Sequence, residues 1–384
     1  MIGNAIVLGA GIAGLSAAVA LARRGVAVTL VEQAKEINEV GAGLQISPNG
    51  LAVLRALGLE SALDRTGAVQ AQAVCLQDFA QGNLVARLDL TRLHDQRYLF
   101  VHRADLVQVL LKAALEENVS IETGRRAVRI TPGNIPKVQY EDGESSRAEF
   151  IISADGLKSV GRRALNNATE ARFTGQVAWR ALVPGTSTHP QATVTMGPGR
   201  HIVSYPLRGG RLVNLVAVQE RQEWAEEGWN HPDDPENLRA AFADFGGPVA
   251  GLLAQVAETS LWGLFRHPVA DKWVQDNVAL IGDAAHPTLP FLAQGANMAL
   301  EDAWALTDCL TKSSALKEFE YERRKRTSKI VEAASRNAWK YHLRAGPTRW
   351  AAHTALSLGS RLAPGLLMKQ FDWIYRHDVT RETG

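Results

Sequence analysis

The N terminus of the chain combines a short apolar strand, a glycine-rich turn, a helix of small aliphatic residues and a second strand, an order that few folds accommodate. The turn has glycines at positions 9, 11 and 14, and the second strand, Ala27 to Val31, ends at Glu32. In a β-α-β unit of this kind, the first glycine permits the tight turn, the second lets a pyrophosphate approach the backbone, and the third lets the helix pack closely on the sheet. The free N–H groups and the positive end of the helix favour the same anion. The sequence therefore predicts a dinucleotide site whose contacts include Gly9, Gly11, Ala13 and Gly14.

Glu32 is expected to accept hydrogen bonds from ribose hydroxyls of that nucleotide. A carboxylate at this position disfavours a 2′-phosphate, so it argues against NADP, but it does not separate NAD from FAD. The simpler alternative is that the glycines only let a helix pack against a strand.

The size and charge of the chain limit its class. It has 384 residues, 46% of them hydrophobic, which is enough for two domains or for one domain with a large insertion. Its 42 basic and 40 acidic side chains nearly balance, and a net charge of +2 argues against nucleic acid or an anionic membrane as the main partner. No apolar run approaches the roughly 20 residues that cross a bilayer. Cys75 and Cys309 lack metal-ligand spacing, so we expect reduced thiols, no metal site and a soluble, cytoplasmic protein.

Segments typical of a nucleotide-binding domain alternate with segments rich in short strands. The clearest strand pair is a hairpin, His201 to Leu207 and Leu212 to Val218, with a turn over residues 208–211. We predict an α/β (α+β) fold in which a Rossmann-like domain is interleaved with a mainly antiparallel substrate-binding sheet and followed by a helical tail. The predicted nucleotide domain comprises 1–67, 101–165 and 267–312, the sheet domain comprises 68–100 and 166–266, and the C-terminal helices comprise 313–384.

Two further motifs follow predicted strands. They are Asp155-Gly156-Leu157-Lys158-Ser159-Val160-Gly161-Arg162 and Gly282-Asp283-Ala284-Ala285-His286-Pro287. A strand that ends in this way presents a carboxylate at the carboxyl edge of the sheet, beside the glycine loop. There Asp155, Gly282 and Asp283 are expected to contact a second, sugar-like chain of the cofactor, such as the ribityl of a flavin. Each motif alone is also compatible with a capped turn.

Together, the glycine loop and these two motifs resemble those of the single-component (class A) flavoprotein aromatic hydroxylases. The resemblance extends through Pro290-Phe291-Leu292-Ala293-Gln294-Gly295-Ala296-Asn297-Met298-Ala299-Leu300-Glu301-Asp302-Ala303 and covers essentially the whole chain. It is nearest to the salicylate hydroxylase and 3-hydroxybenzoate 6-hydroxylase branch, several members of which share Ala293 where the family usually has glycine. The resemblance implies a p-hydroxybenzoate hydroxylase-like fold, FAD as cofactor, and NADH or NADPH as a transient electron donor. It also implies that O2 adds to the reduced flavin at C4a and that the resulting hydroperoxide hydroxylates an electron-rich ring.

The remaining cofactor contacts are expected outside these motifs. The helix that begins near Gly295, Ala296 and Asn297 would direct its N–H groups and positive end at the N1–C2=O edge of a reduced flavin. Arg103 lies in a His-Arg-x-x-Leu segment that resembles the family's, which implies a contact with the ribityl or phosphate region. Val128, in a predicted strand meander, completes the set of expected cofactor contacts.

Alternation along the first strand of the hairpin places His201, Val203 and Tyr205 on one face of the sheet. A phenol reacts better as a phenolate, so a base should reach its hydroxyl in a dry, apolar pocket. The resemblance implies that His201 is the base or hydrogen-bond partner of that hydroxyl and that Tyr205 orients the ring or its carboxylate. Gln294, on the loop before the helix, is a further candidate for contacting the substrate. The alternatives are a histidine and a tyrosine packed under the sheet, and a glutamine that caps the helix.

Other conspicuous residues are expected to be structural. His286 lies beside a proline and next to the expected flavin contact Asp283, which indicates a role in local structure. The aromatic residues Phe371, Trp373 and Tyr375 are expected to pack or to form a dimer contact. The protein is expected to be a monomer or a homodimer.

The predicted activity is hydroxylation of a small phenolic aromatic or heteroaromatic acid with O2. Two alternatives stay open: another reaction on the same fold, such as halogenation or reduction, and a flavin-binding sensor without turnover. The Trp-x-Trp-x-Ile-Pro segment of flavin halogenases of this fold does not occur in the sequence.

Overall fold

The computed structural model of the chain describes residues 2–37, 43–93, 96–167, 170–185, 189–221, 231–312, 315–337, 342–343, 346–362 and 364–381. Its strands are β1 Asn4–Leu8, β2 Ala27–Val31, β3 Gly43–Ile46, β4 Val69–Gln70, β5 Ala73–Asp78, β6 Leu84–Asp89, β7 Leu99–His102, β8 Ser120–Glu122, β9 Ala127–Thr131, β10 Lys137–Tyr140, β11 Ser145–Arg147, β12 Phe150–Ser153, β13 Arg172–Pro184, β14 Gln191–Gly197, β15 Arg200–Leu207, β16 Leu212–Glu220, β17 His231–Asp233, β18 Thr259–Arg266, β19 Val274–Gln275 and β20 Val278–Leu280. Its α-helices are α1 Ile12–Ala22, α2 Pro48–Ala56, α3 Glu60–Arg65, α4 Arg103–Glu116, α5 Val160–Leu165, α6 Pro235–Ala241, α7 Pro248–Ala254, α8 Gly295–Lys312, α9 Leu316–Asn337, α10 Pro347–Leu362, α11 Pro364–Lys369 and α12 Asp372–Tyr375.

The first sheet contains the β-α-β unit predicted from the N terminus. Its strand order is β19-β20-β12-β1-β2-β8, and neighbouring strands are parallel except for β19 with β20. Helix α1 begins directly after the glycine loop, is buried over nearly its whole length, and contacts α4 and α8. Its alanine-rich sequence explains this position, because only small side chains permit such close packing on several sides.

The second sheet has the order β17-β18-β13-β16-β15-β14-β5-β6 and is antiparallel except for the pair β14 and β5. The predicted hairpin is present as β15 and β16. Its turn contains Arg208 and Gly209 at φ of 49° and 68°, a region that glycine adopts at little cost. One face of this sheet packs on α6 and α7 through residues that include Trp179 and Phe242.

Two smaller sheets complete the strand structure, with orders β11-β10-β9 and β3-β7-β4. The sequence assigned residues 68–100 as a whole to the second sheet. Strands β5 and β6 do join it, whereas β4 and β7 pair with β3 from the N-terminal segment. Pairing over such distances depends on tertiary contacts that a local pattern does not contain. The division of the chain into domains stays a prediction.

The C-terminal helices return to the body of the protein. Helix α9, Leu316 to Asn337, lies within the region predicted to be helical, while residues 338–341 and 344–345 lie outside the described residues. Helices α10 and α11 contact β6, and α12 contacts α2. Over the part of the chain that the structure describes, no helix combines the length and the apolar character that a bilayer requires.

Candidate active site and cofactor cleft

A cavity of about 530 Å³ extends from the glycine loop to the second sheet. Its walls come from the N terminus of α1, from the hairpin strands β15 and β16, from β18 and from the C-terminal helices. Most of the lining side chains are apolar. Among the predicted residues that line it are Gly11, Ala13, Arg103, His201, Tyr205, Asp283, Gln294, Gly295 and Ala296.

The three loop glycines are required for different reasons. Gly9 has φ of 95°, and a Cβ there would lie 2.5 Å from the carbonyl oxygen of Ala154. A Cβ at Gly14 would lie 1.9 Å from the carbonyl oxygen of Gly9. A Cβ at Gly11, in contrast, would meet no described atom of another part of the chain within 4 Å. Gly9 and Gly14 therefore serve the fold, whereas Gly11 leaves room at the start of α1, where first-turn N–H groups can bind a phosphate.

Glu32 is fixed at the end of β2 by the backbone on either side of it. Its Oε2 accepts a hydrogen bond from the Ala10 amide at 2.8 Å, and its Oε1 accepts one from the Ala34 amide at 2.8 Å. An ionised carboxylate has about four acceptor positions, so these bonds leave capacity for ribose hydroxyls.

Asp155 is hydrogen-bonded within its own loop. Its Oδ2 accepts a hydrogen bond from the Val160 amide at 2.7 Å, and its Oδ1 accepts one from the Ser153 hydroxyl. The carboxylate thus orders the loop before α5, and it is the following residues, Gly156 and Leu157, that line the cavity. The contact of Asp155 with the cofactor stays a prediction.

The Gly282-Asp283 motif does face the cavity. Gly282 has φ of 61°, and its amide donates to Asp302 Oδ2 at 3.0 Å, which fixes the turn. Asp283 is exposed and lines the cavity. Arg162, for which no role was predicted, joins the two motifs: its Nη1 donates to the carbonyl oxygens of Ala284 and Ala285, both at 3.3 Å.

Helix α8 begins at the cavity as predicted, with Gly295 and Ala296 in its lining. The first hydrogen bond of the helix runs from the Met298 amide to the Gln294 carbonyl at 2.8 Å, so the amides before Met298 lie at the helix end. Asn297 is buried, and its side chain accepts from the Ser47 amide at 3.0 Å and donates to the Gln45 carbonyl at 3.0 Å. Asn297 therefore has only its backbone N–H to offer a cofactor.

Gln294 lines the cavity, and its side chain also bonds to the protein. Its Nε2 donates to the Ser47 hydroxyl at 3.0 Å, and its Oε1 accepts from Asn49 Nδ2 at 3.2 Å. These bonds position the loop before α8, and the contact of Gln294 with the substrate stays a prediction. Val128 lies on β9 with 44% of its surface exposed, outside the residues that line the cavity. Its contact with the cofactor stays a prediction.

His201, Val203 and Tyr205 line the cavity together, while Ile202 between them packs on the opposite face of the sheet. The alternation predicted from the sequence is therefore present. Burial, and then the neighbouring His342, lower the pKa of His201 well below its ordinary value, so its imidazole is neutral. Burial raises the pKa of Tyr205 above its ordinary value despite the opposing charge of Arg180, so its hydroxyl stays protonated.

A family model described as "FAD binding domain" matches residues 4–334 of the chain. The chain belongs to this family. The 3-amino-4-hydroxybenzoate 2-monooxygenase of Streptomyces cremeus is 37% identical to it over 356 residues, which cover 89% of this chain and 88% of that protein. The 3-hydroxybenzoate 6-hydroxylase of Polaromonas naphthalenivorans (strain CJ2) is 33% identical over 392 residues, 97% of this chain and 96% of that protein.

The fold also matches that of a solved hydroxylase structure. A solved structure of a salicylate hydroxylase substrate complex matches with a TM-score of 0.82 at 23% identity and covers 99% of this chain and 97% of that one. The predicted fold, the FAD cofactor and the enzyme class are thereby confirmed: this member of the FAD-binding family is an FAD-dependent aromatic monooxygenase. The space beside Gly11, the fixed carboxylate of Glu32 and the helix end at Gly295 fit the FAD that the family binds.

Several residues that line the cavity of this FAD-binding enzyme were not predicted from the sequence. Phe371 and Tyr375, expected to pack or to form a dimer contact, line the cavity. Tyr98 lines it beside them, with its ring centroid 5.8 Å from that of Tyr375, and its hydroxyl donates to Gln45 Oε1 at 2.7 Å. Arg180, on β13, stacks over the Trp262 ring at 4.6 Å and also lines the cavity. Only the aromatic character of residues 371–375 was visible in the sequence.

His286 has the structural role that was predicted for it. Its Nε2 bonds to Asp302, which also bonds to Arg323, and all three side chains are buried. Beside them, Glu301 binds Arg323 at 2.6 Å and Arg326 at 2.8 Å. Burial alone would raise the pKa of the Glu301 carboxyl, but the two arginines hold it below its usual range. This buried ion network fastens α9 to α8, whose N terminus faces the cofactor cleft.

Proposed function

We propose that this FAD-dependent monooxygenase hydroxylates a small phenolic aromatic or heteroaromatic acid of the salicylate or hydroxybenzoate type, with NADH or NADPH as electron donor. The observation that carries the proposal is His201, a buried and neutral imidazole in the wall of an otherwise largely apolar cavity. Bound FAD, once reduced, supplies the activated oxygen. The protein's own residues must then ionise the ring hydroxyl, hold the ring and exclude water.

His201 is suited to ionise the hydroxyl because a neutral imidazole accepts a proton. A phenolate is the better nucleophile towards activated oxygen, so transfer of the proton to His201 accelerates the hydroxylation. Tyr205, on the same face of β15, keeps its own proton and is placed to donate a hydrogen bond to the substrate.

Arg180 supports an acid as the substrate. It contributes a positive charge to the cavity, next to the ring of Trp262 and close enough to Tyr205 to affect that residue's pKa. A guanidinium binds a carboxylate through two parallel hydrogen bonds, and a largely apolar surround strengthens the pair. The relatives named above also act on hydroxybenzoates, as their names state.

The first test is a screen of hydroxybenzoates and hydroxypyridine carboxylic acids, each paired with its carboxamide. With FAD-loaded protein and NADH or NADPH, we expect at least one acid to accelerate nicotinamide oxidation and to give a hydroxylated product by mass spectrometry. The matching carboxamide should be a poorer substrate. A screen in which no hydroxy acid gives a hydroxylated product would exclude the proposed function.

The second test is His201→Gln. We expect FAD binding to persist and product formation to fall about 100-fold, the usual contribution of a general base. Nicotinamide oxidation in the presence of substrate should continue and yield hydrogen peroxide. Unchanged product formation would exclude His201 as the base.

We also infer a cytoplasmic location, which the two free thiols, Cys75 and Cys309, support. We further propose that the protein is a monomer or a homodimer.

A further inference from the structure

A chain of three polar side chains leads from His201 in the cavity to the surface of the protein. His201 Nδ1 lies 2.6 Å from His342 Nε2, and His342 Nδ1 lies 3.0 Å from Glu220 Oε1. The His342 side chain is 1% exposed, whereas that of Glu220 is 45% exposed. This series of hydrogen-bonded side chains therefore begins in a largely apolar cavity and ends at the solvent.

The carboxylate fixes which nitrogens carry protons. Glu220 accepts a hydrogen bond, so His342 Nδ1 is the donor and the neutral His342 keeps its lone pair on Nε2. That lone pair accepts from His201, so His201 Nδ1 carries a proton and the lone pair of His201 lies on Nε2, the ring nitrogen that faces away from His342. Gln176 Nε2 lies 3.4 Å from His342 Nδ1, and two donors would face each other there. A flip of the Gln176 amide exchanges its nitrogen and oxygen, so that its oxygen accepts from His342 Nδ1 and the assignment stands.

The hydroxylation proposed above requires such a chain. A phenolic proton that reaches His201 enters a buried group whose pKa is lowered by burial, so an imidazolium there is unstable. The cavity wall around His201 is largely apolar, and His342 is the polar neighbour to which His201 Nδ1 is bonded. His342 therefore offers the proton a route out of the cavity.

We propose that His342 and Glu220 form a proton relay that carries the phenolic proton of the substrate from His201 to solvent. In the forward direction, the substrate O–H bond breaks and His201 Nε2 gains the proton. The proton on His201 Nδ1 passes to His342 Nε2, and the proton on His342 Nδ1 passes to Glu220 and then to water. No electrons are exchanged. When the product leaves as a neutral phenol, the same transfers run in reverse and restore the starting tautomers.

A purely structural role for His342 is the competing explanation. Its carbonyl oxygen accepts from the Gly199 amide at 3.2 Å, next to the turn between β14 and β15, so the residue also attaches its own segment to the sheet. That bond belongs to the backbone and survives any change of the side chain. The two explanations therefore differ in what a side-chain substitution does to proton transfer.

The test measures proton transfer without turnover. It rests on the proposed function for its ligand, a nitro-substituted hydroxybenzoate whose phenolate is coloured, mixed in a stopped-flow instrument with FAD-loaded protein in the absence of nicotinamide. For His342→Gln we expect ionisation of the bound phenol at least about 10-fold slower than in the wild type, since an amide keeps the hydrogen bond but cannot relay a proton. Binding affinity for the probe should change little.

Three companion variants separate the relay from a structural effect. In His342→Ala, added imidazole should restore fast ionisation. Glu220→Gln should slow ionisation less than His342→Gln, because water reaches that end of the chain. Glu236→Gln, an exposed carboxylate paired with Arg239, is the matched control and should behave as the wild type.

The outcomes distinguish the relay from the activity. If the wild type hydroxylates an acid while His342→Gln ionises the probe at the wild-type rate, the relay is wrong and the proposed function stands. If His342→Ala is slow but imidazole fails to restore it, the residue is structural and the relay is equally excluded. If the wild type neither hydroxylates any acid nor ionises the probe, both proposals fail together.

Discussion

At the scale of single residues, Gly11 and Gly14 belong to one motif but are required for different reasons. Gly14 is close to the backbone of Gly9, so a methyl group there collides with the fold itself. Gly11 is surrounded by space that continues into the cavity. One glycine is therefore set by packing and the other by the ligand, although the sequence pattern treats them alike.

This difference predicts opposite behaviour for two matched substitutions. Gly14→Ala should lower the free energy of unfolding by about 3 kcal/mol, since the new methyl overlaps backbone atoms. Gly11→Ala should leave the stability of the FAD-free protein unchanged and weaken FAD binding at least about 10-fold, equivalent to about 1.4 kcal/mol. Urea unfolding and flavin fluorescence titration measure the two quantities. An FAD affinity in Gly11→Ala equal to that of the wild type would contradict the assignment.

The role of a residue could be predicted from the sequence where backbone geometry determines it. It could not be predicted where a side chain has several possible hydrogen-bond partners. The glycine loop and the alternation of His201 and Tyr205 follow from strand and turn geometry. Asp155 and Gln294 were placed in the right loops, but their hydrogen bonds to Val160 and Ser47 were not predicted. His342 carried no signal, because it meets His201 from 141 positions away in the chain.

At the scale of elements, the C-terminal helices are part of the cavity wall rather than an appendage. Phe371 and Tyr375 stack with ring centroids 5.7 Å apart, and Tyr375 continues the aromatic cluster to Tyr98. Local periodicity predicted helices in this region but not their partner, because docking depends on the surfaces that β6 and α2 present. The same limit explains β4 and β7, whose strand character was visible while their pairing with β3 was not.

Opening this wall should admit water to the reacting centre. For Phe371→Ala we expect FAD binding to be retained and the share of nicotinamide oxidation that ends in hydrogen peroxide to rise severalfold, since activated oxygen decays in a wet cavity. Peroxide and product are quantified together in one reaction. Trp350→Ala, on the exposed side of α10 with 72% of its surface accessible, is the control. An unchanged ratio of peroxide to product in Phe371→Ala would show that this ring does not exclude water.

At the scale of the whole molecule, the buried network of Glu301, Asp302, Arg323 and Arg326 connects the C-terminal helices to the cofactor cleft. Its charges have almost no contact with solvent. Buried ions are compensated only while every partner is present, so the network couples the stability of distant parts of the chain.

Removal of one cation should therefore be costly. Arg323→Met is expected to lower the free energy of unfolding at pH 7 by about 3–5 kcal/mol, because it leaves buried carboxylates without a partner. In the wild type the lowered pKa of Glu301 gives stability that is complete above about pH 4.3, the value of an unfolded glutamate, and is lost as the pH falls further towards the folded value. In Arg323→Met the pKa of Glu301 should be lowered less, so this loss should be smaller and should end at a higher pH.

Denaturant unfolding at pH 7 measures the first effect, and a series continued down to about pH 2 measures the second. Arg376→Met, which removes an exposed partner of Asp372, is the control and should change stability little. Equal stability of Arg323→Met and Arg376→Met would show that the network does not stabilise the fold.

Arg162 gives the cofactor cleft a further property. It joins two loops that are more than a hundred positions apart in the chain, through bonds to the carbonyl oxygens of Ala284 and Ala285, both at 3.3 Å. Because these bonds lie within the protein, the conformational entropy of bringing the loops together is spent during folding and not during capture of the ligand. The apoprotein therefore presents a preorganised cleft, and the free energy of FAD binding is not reduced by the ordering of these loops.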